Sequence, residues 1–352
     1  MSKSRPYLSI VMPAYNDAQA LQQFLPQVFD FTDNITLPES YQKLSAQSCE
    51  IIVVDDGSRD DLVGVIDQLM QKLPANTTLT LLRLSRNFGK EPALSAGIDA
   101  AQGDIIAMID ADGQHPLPVL GQMLTMIEQT DIDMVAGIQA NRPSESKIAR
   151  AFKSSFYHFI QDGQRYEIRP NAGDFRVMNH KVVTALRKLP ERQRFMKGLY
   201  AWVGFNTVYL PFTADNRDAG ESKFNYGSLF ELALVGITSF SQKPLRLISR
   251  IGFLVSLLAF LYGLIIVIDT LLFGSDVPGW ATVAAGIMFS MGIQLVCLGV
   301  IGEYVGRLYE EVKQRPLYLI SETITSTDAH PNQTLNTTTI TPKSQKLDHR
   351  HD

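Results

Sequence analysis

Cysteine is almost missing from this chain: Cys49 and Cys297 lie far apart, and neither belongs to a metal-ligand spacing such as CxxC. A cysteine metal centre is thereby excluded, and both thiols read as inert groups in reducing surroundings. A basic excess is missing too, since 32 Lys+Arg stand against 36 Asp+Glu for a net charge of -4. The footprint of a nucleic-acid binder is therefore absent, and any phosphate must be gripped locally. The opening stretch MSKSRPYLSIVMPAYN lacks an apolar run long enough for a signal peptide, which predicts an N-terminus that stays cytoplasmic. At 352 residues the chain exceeds one small core, so a catalytic domain with a further module is expected.

What is present begins with rhythm. From Tyr7 to about Ile138, short β-branched runs (LSIVM, EIIVV, LTLLRL, DIIAMI, DMVAGI) alternate with longer amphipathic stretches. That alternation predicts an α/β fold: a mostly parallel sheet with helices on both faces and ligands at the carboxyl ends of its strands. Asp30 to Ser48 interrupts the rhythm with mixed polar residues and is read as an elongated surface loop.

Two later runs differ in kind. Ile251–Ile268 and Trp280–Gly302 carry no charged residue over 18 and 23 positions, close to the ~20 that a membrane-spanning helix requires. Joined by the short GSDVPG turn, they predict a transmembrane hairpin. Lys243, Arg246 and Arg250 precede the first run and Arg307, Lys313 and Arg315 follow the second, whereas the turn side holds only Asp269 and Asp276. The positive-inside rule then puts both ends in the cytoplasm. Tyr226 to Gln242 reads either as a helix lying along the interface or as one packed on the catalytic domain. Gly302 and Gly306 have the spacing that suits helix association, so a homo-oligomer is a further expectation beside simple helix packing. The Thr/Ser-rich tail after Ile320 reads as disordered.

Chemistry concentrates at strand ends. Asp110-Ala111-Asp112 follows DIIAMI directly, with Gln114 close behind. Residues two apart on an extended chain point to one side, so both carboxylates and the Gln114 amide face one volume. That is a hard-oxygen site suited to Mg²⁺ or Mn²⁺ holding a diphosphate; an Asp-rich turn that bends at Gly113 fits the same residues. Asp55-Asp56-Gly57-Ser58 ends the second strand, where carboxylates can bind a nucleobase or ribose and Ser58 or Asp60 can cap the next helix. The first strand ends in Pro13-Ala14-Tyr15-Asn16-Asp17, and a Tyr15 ring beside an acid is what a base-and-ribose pocket needs. Asn87 to Lys90 open the helix after the third strand, where Lys90 either assists a donor phosphate or is simply solvated.

The motifs PAYND, VVDDGS, RNFGKEPALSAGIDAAQGD, DADGQ, NAGDFRVM and RDAGESKF occur in this order. Together they resemble the family 2 glycosyltransferases that act on polyprenyl phosphates, from about Leu8 to Pro316. The chain is most similar to bacterial undecaprenyl-phosphate glucosyltransferases of surface-polysaccharide (lipopolysaccharide, O-antigen) modification, and is similar also to dolichol-phosphate mannose synthases. The resemblance implies a GT-A catalytic domain over 1–225 and an interfacial helix over 226–248. It implies membrane helices at 249–273 and 279–305, a juxtamembrane segment at 306–320 and a disordered tail at 321–352, in a multi-pass protein of the inner membrane. It places Pro13, Tyr15, Asp17, Asp55 and Asp56 in the nucleoside pocket, and Asp110, Ala111, Asp112 and Gln114 at the metal and diphosphate. It places Asp174 where many relatives carry a base, and Arg217, Ser222 and Lys223 in a mobile loop over the acceptor phosphate. Two departures stand out: Asp17 replaces the usual glutamate, and Gly137-Ile138-Gln139 replaces Gly-x-Arg, so the arginine's role passes to Arg142.

The implied reaction joins a nucleotide sugar to a polyprenyl phosphate lipid, with glucose from UDP-glucose as the leading donor. GDP-mannose, a UDP-N-acetylhexosamine or a UDP-aminoarabinose derivative is the alternative. A phosphate monoester has its second pKa near ~6, so the acceptor is already ionised and needs no strong base. For Asp174 the readings are an orienting role or a salt bridge with Arg176. A processive polymer synthase is disfavoured by the absence of QxxRW, and an inactive membrane scaffold by the intact DAD, DDGS and ESK elements.

Overall fold

The computed structural model describes residues 5–35, 48–129, 131–140, 169, 172–192, 194–213 and 279–326, with residues 248, 250 and parts of 252–272. The elements run β1 Leu8–Ala14, α1 Ala18–Asn34, β2 Cys49–Asp55, α2 Leu62–Met70, β3 Thr77–Leu84, α3 Lys90–Ala100, β4 Ile105–Met108 and α4 Leu117–Ile127. They continue with β5 Met134–Gln139, β6 Ala172–Asn179, α5 His180–Arg187, α6 Met196–Trp202, β7 Thr207–Phe212, α7 Trp280–Lys313 and β8 Ile320–Thr325. The strands form one sheet in the order β7-β5-β6-β4-β1-β2-β3-β8.

The five runs singled out in the sequence are the first five strands. β1 through β4 pair in parallel, while β6 runs antiparallel to both of its neighbours and β8 antiparallel to β3. Alternation sorts the side chains: Leu8, Ile10 and Met12 join one buried cluster with α1, α2 and α4, and Val11 joins another with α3, α5 and α6. A strand period of two thus gives the sheet two apolar faces, each covered by helices. Close approach of α3 depends on Gly97, because a Cβ there would come within 2.2 Å of Val11 Cγ1. The chain passes from β1 to β2 and β3 on one side and then returns to β4 on the other. That reversal lies between β1 and β4, and the region outside their carboxyl ends is where open α/β sheets bind ligands.

Three expectations change. Asp30–Asn34 is the last stretch of α1 rather than loop; Thr32 there is fully buried and its hydroxyl donates to Phe29 O and accepts from Thr77 Oγ1. The second apolar helix runs on to Lys313, eight residues past the expected end at 305. Its polar end carries the pairs Arg307–Glu303 and Lys313–Glu310. Finally, the first residues of the expected tail are not disordered. Ile320–Thr325 is an edge strand, because Ile-Ser-Glu-Thr-Ile-Thr alternates and its β-branched residues satisfy the otherwise open edge of β3.

This return ties α7 to the catalytic domain. Glu311 accepts from Arg192 N (2.9 Å), Arg192 Nη1 donates to Arg315 O (2.6 Å), and Tyr318 donates to Asp99 (2.8 Å). Arg83 then bridges Glu322 of β8 (2.8 Å) and Asp55 of β2 (3.4 Å). Among the described residues α7 contains the one stretch, Phe289–Lys313, long and apolar enough to cross a membrane. Phe289, Leu295, Val296 and Leu298 on it are exposed. The described residues between 252 and 272 are helical as well.

Candidate active site

The reversal point is framed first by backbone. Asn16 adopts a left-handed φ of 56°, and its neighbours fasten it: Asn16 N donates to Ser58 Oγ (2.9 Å) while Arg59 N donates to Asn16 Oδ1 (2.8 Å). Asp60 caps α1 across the chain by accepting from Ala18 N (2.8 Å), and Asp61 caps α2 by accepting from Gly64 N (3.2 Å). Ser58 therefore does not cap its own helix; it holds the β1–α1 turn. Asp55 accepts from Ser58 N (2.7 Å), and Asp56 spends one oxygen on Phe88 N (2.7 Å) and the other on Gly89 N (2.8 Å). Burial pushes the Asp56 carboxyl up, against those two donors. Gly57 has φ 72°, and a Cβ there would lie 2.6 Å from Arg86 C, so the two loops meet only because this residue is glycine.

Of the predicted nucleoside residues, Pro13, Asp55 and Asp56 are buried in this framework. Tyr15 stands open, 41% exposed. Asp17 turns back to accept from Tyr15 N (3.0 Å). Burial raises its pKa, opposed by that hydrogen bond and reinforced by Asp112, Asp60 and Asp110. Asp17 thus lies within electrostatic reach of Asp110 and Asp112.

That pair lies just beyond β4. Ala111 is 2% exposed between the partly exposed Asp110 and Asp112. Residues 111–113 form a turn with Gly113 at φ 72°, so the two acids do not lie on the extended chain that the sequence predicted. Asp112 accepts from Gln114 N (3.1 Å). Lys90, the first residue of α3, is the central cation: its Nζ lies 2.6 Å from Asp110 Oδ1 and 3.3 Å from Asp174 Oδ2. Burial works to lower the Lys90 pKa, but Asp110 and Asp174 outweigh it and hold the ammonium charged. Burial likewise works against the Asp110 charge, and Lys90 foremost overcomes it, so the carboxyl sits below its ordinary value.

Two close neighbours of the acid pair and Lys90 escaped the sequence reading. His115 Nδ1 accepts from Asp110 N (2.9 Å), and its ring stacks on Phe175 at 4.5 Å with Phe212 edge-on at 5.9 Å. Burial holds this imidazole below its ordinary pKa, against the pull of Asp110 and Asp112. It is neutral, as an accepting Nδ1 requires. Glu91 accepts from Met196 N (2.9 Å) and is pushed up to about 7 by burial and by Asp174. The available signals were His115 closing the DADGQH run and Glu91 beside Lys90. Neither names its partner.

Asp174 does not pair with Arg176. Arg176 is buried, donates to Gly173 O (2.9 Å) and lies over the Tyr200 ring at 4.3 Å, while Asp174 takes Lys90. The other oxygen, Asp174 Oδ1, is buried with no hydrogen-bond partner. No cluster of three His, Cys, Asp or Glu residues able to hold a metal by themselves occurs among the described residues. Two carboxylates and an amide that leave most positions open fit an ion shared with a diphosphate, since Mg²⁺-type ions keep few protein ligands. Arg142, Arg217, Ser222 and Lys223 lie outside the described residues.

Paired acids, a charged lysine and an open tyrosine at the reversal point of an α/β sheet are suited to holding a diphosphate and its counter-ion. The chain belongs to glycosyl transferase family 2, whose model matches residues 9–187, and a GtrB C-terminal hairpin model matches residues 243–308. An uncharacterized glycosyltransferase of Synechocystis sp. is 41% identical over 90% of this chain and 95% of its own length. The SfII prophage-derived bactoprenol glucosyl transferase of Shigella flexneri is 40% identical over 90% of this chain and 97% of its own. A prophage bactoprenol glucosyl transferase homolog of Escherichia coli (strain K12) is 38% identical over 89% and 98%.

Proposed function

We propose that this enzyme transfers glucose from UDP-glucose to undecaprenyl phosphate with inversion, making a lipid-linked sugar for cell-surface polysaccharide modification. The observation that carries the reading is the Asp110–Lys90–Asp174 cluster beside Asp112, in a chain 40% identical to bactoprenol glucosyl transferases over nearly their whole length. The acceptor phosphate is ionised at neutral pH, so the protein's task is to align two anions and neutralise the leaving diphosphate. Asp110, Asp112 and Gln114 would hold Mg²⁺ or Mn²⁺, which when bound draws charge from the diphosphate. Tyr15 and Asp17 receive the nucleoside. Asp55 and Asp56 keep their framework role and shape that pocket from behind. Arg142 serves the donor phosphate, Arg217, Ser222 and Lys223 serve the acceptor phosphate, and Asp174 orients the acceptor side. Direct displacement converts an α-linked donor into a β-linked lipid phosphate.

The domain plan follows the same reading: a cytoplasmic catalytic domain, an interfacial segment at 226–248, two spans and a cytoplasmic C-terminus in the inner membrane, with Gly302 and Gly306 available for self-association. The exposed apolar flank of α7 supports a lipid environment. The test is a donor screen with purified protein, undecaprenyl phosphate and Mg²⁺ or Mn²⁺. Labelled glucose should enter the lipid only from UDP-glucose, and Asp112→Asn should stop it while leaving the protein folded and membrane-bound. Equal transfer from GDP-mannose, or an active Asp112→Asn, would reject the assignment.

A further inference from the structure

Lys90 stands where the proposed ion has to work. Its ammonium contacts Asp110, one of the proposed metal holders, and Asp174, whose second oxygen is buried and unpaired. The backbone behind it is fixed: Asp56 grips the N–H groups of Phe88 and Gly89, and Gly89 holds φ 101°, a conformation that other residues rarely adopt. The base of the side chain is thus anchored while its four-carbon stem remains flexible, so the charged head can change partners without moving the helix.

We propose that Lys90 occupies the cation's place at Asp110 until a nucleotide diphosphate arrives, so that ion and donor bind together rather than ion first. This rests on the reading of Asp110 and Asp112 as the metal and diphosphate holders. A divalent ion arriving alone must break a 2.6 Å pair and then sit beside the displaced ammonium, a like charge at close range. With the diphosphate present the balance reverses, because its oxygens offer the ammonium new partners and offer the ion further ligands. Coupling of this kind is reciprocal: nucleotide strengthens ion binding by the factor with which ion strengthens nucleotide binding. The same movement takes Lys90 off Asp174, so the arrival of donor also frees the carboxylate that orients the acceptor side. Donor loading and acceptor readiness become one event.

The experiment measures Mn²⁺ binding to the purified full chain by electron paramagnetic resonance, with and without UDP and without lipid, so no turnover occurs. Wild-type protein should bind Mn²⁺ at least ~10-fold more tightly with UDP. Lys90→Met and Lys90→Gln should each raise the UDP-free affinity by at least ~10-fold, about 1.4 kcal/mol, and reduce the coupling below ~3-fold. Lys90→Arg keeps a cation at the position and should keep the weak UDP-free binding. Folding is checked for each variant by its melting transition, and two neutral substitutions guard against loss of one. If a folded Lys90→Met or Lys90→Gln binds Mn²⁺ no better than wild type without UDP, while Asp112→Asn abolishes UDP-dependent uptake, the metal reading stands and the role of Lys90 is wrong. If wild type takes up no Mn²⁺ even with UDP, or Asp112→Asn binds it normally, both readings fall.

Discussion

Asp56→Asn separates a framework acid from a nucleotide ligand. Each oxygen of Asp56 accepts one backbone N–H, from Phe88 at 2.7 Å and Gly89 at 2.8 Å. Asparagine keeps one acceptor and turns an NH₂ toward the other donor, so one charge-assisted hydrogen bond is lost, worth ~1.5–3 kcal/mol. The wild-type carboxylate also bears a burial penalty, visible in its raised pKa, and removing the charge returns part of the loss. A net destabilisation of about 1–2 kcal/mol remains, equivalent to ~2–8 °C in Tm for a domain of roughly 200 residues. Thermal unfolding of the ligand-free protein in detergent reads this directly. Because Lys90 follows Gly89, kcat should fall as well, while KM for UDP-glucose rises by less than ~3-fold. An unchanged Tm combined with a tenfold higher donor KM would refute the reasoning and return Asp56 to the nucleoside.

Three further outcomes are expected. Glu91 has a folded pKa near 7 against an ordinary 4.5, so the folded state binds its proton more tightly and this group's contribution to stability declines as pH rises from about 4.5 to 7; Glu91→Gln should match wild type at pH 5 and melt a few degrees higher at pH 8 in a calorimetric pH series, and a lower Tm at pH 8 would contradict the shift. In a background lacking Cys49 and Cys297, a cysteine placed at Ser275 should be labelled from outside intact cells and one placed at Thr327 should not; the reverse pattern would invert the topology. Arg217→Ala and Lys223→Ala should each lower kcat/KM for the lipid acceptor by at least ~10-fold with membrane retention unchanged, and release from membranes instead would make them surface anchors.

Legibility in the sequence followed locality. β1 to β5 were readable because each is a compact, mostly apolar run, the pattern of strands buried on both faces. β7 contains Pro211 at the sheet edge and β8 is mostly polar, so neither carries that signature, and composition alone suggested disorder where Thr and Ile were in fact pairing with β3. The acid pair at Asp110 and Asp112 was readable because neighbours in sequence make it. The partners of Asp56 lie 32 and 33 positions away, and the rings that seat His115 come from β6 and β7. Only the folded sheet brings those together. Asp174 shows the same limit: sequence offered Arg176, two residues on, but the nearer charge in space is Lys90.

The edge strand also imposes an order on manufacture. Thr80 and Thr325 face each other across the β3–β8 ladder although 245 positions separate them in the chain, and α7 is made in between. During synthesis the other seven strands can assemble while β3 still presents a bare edge, the kind of edge that recruits stray strands from neighbouring chains. That edge closes only after α7 has emerged, and non-local pairings of this sort form late. A ribosome that stops before residue 320 therefore leaves a catalytic sheet that is nearly complete yet open to aggregation. Closure of the last strand is the step at which the nascent enzyme stops being a hazard to its neighbours.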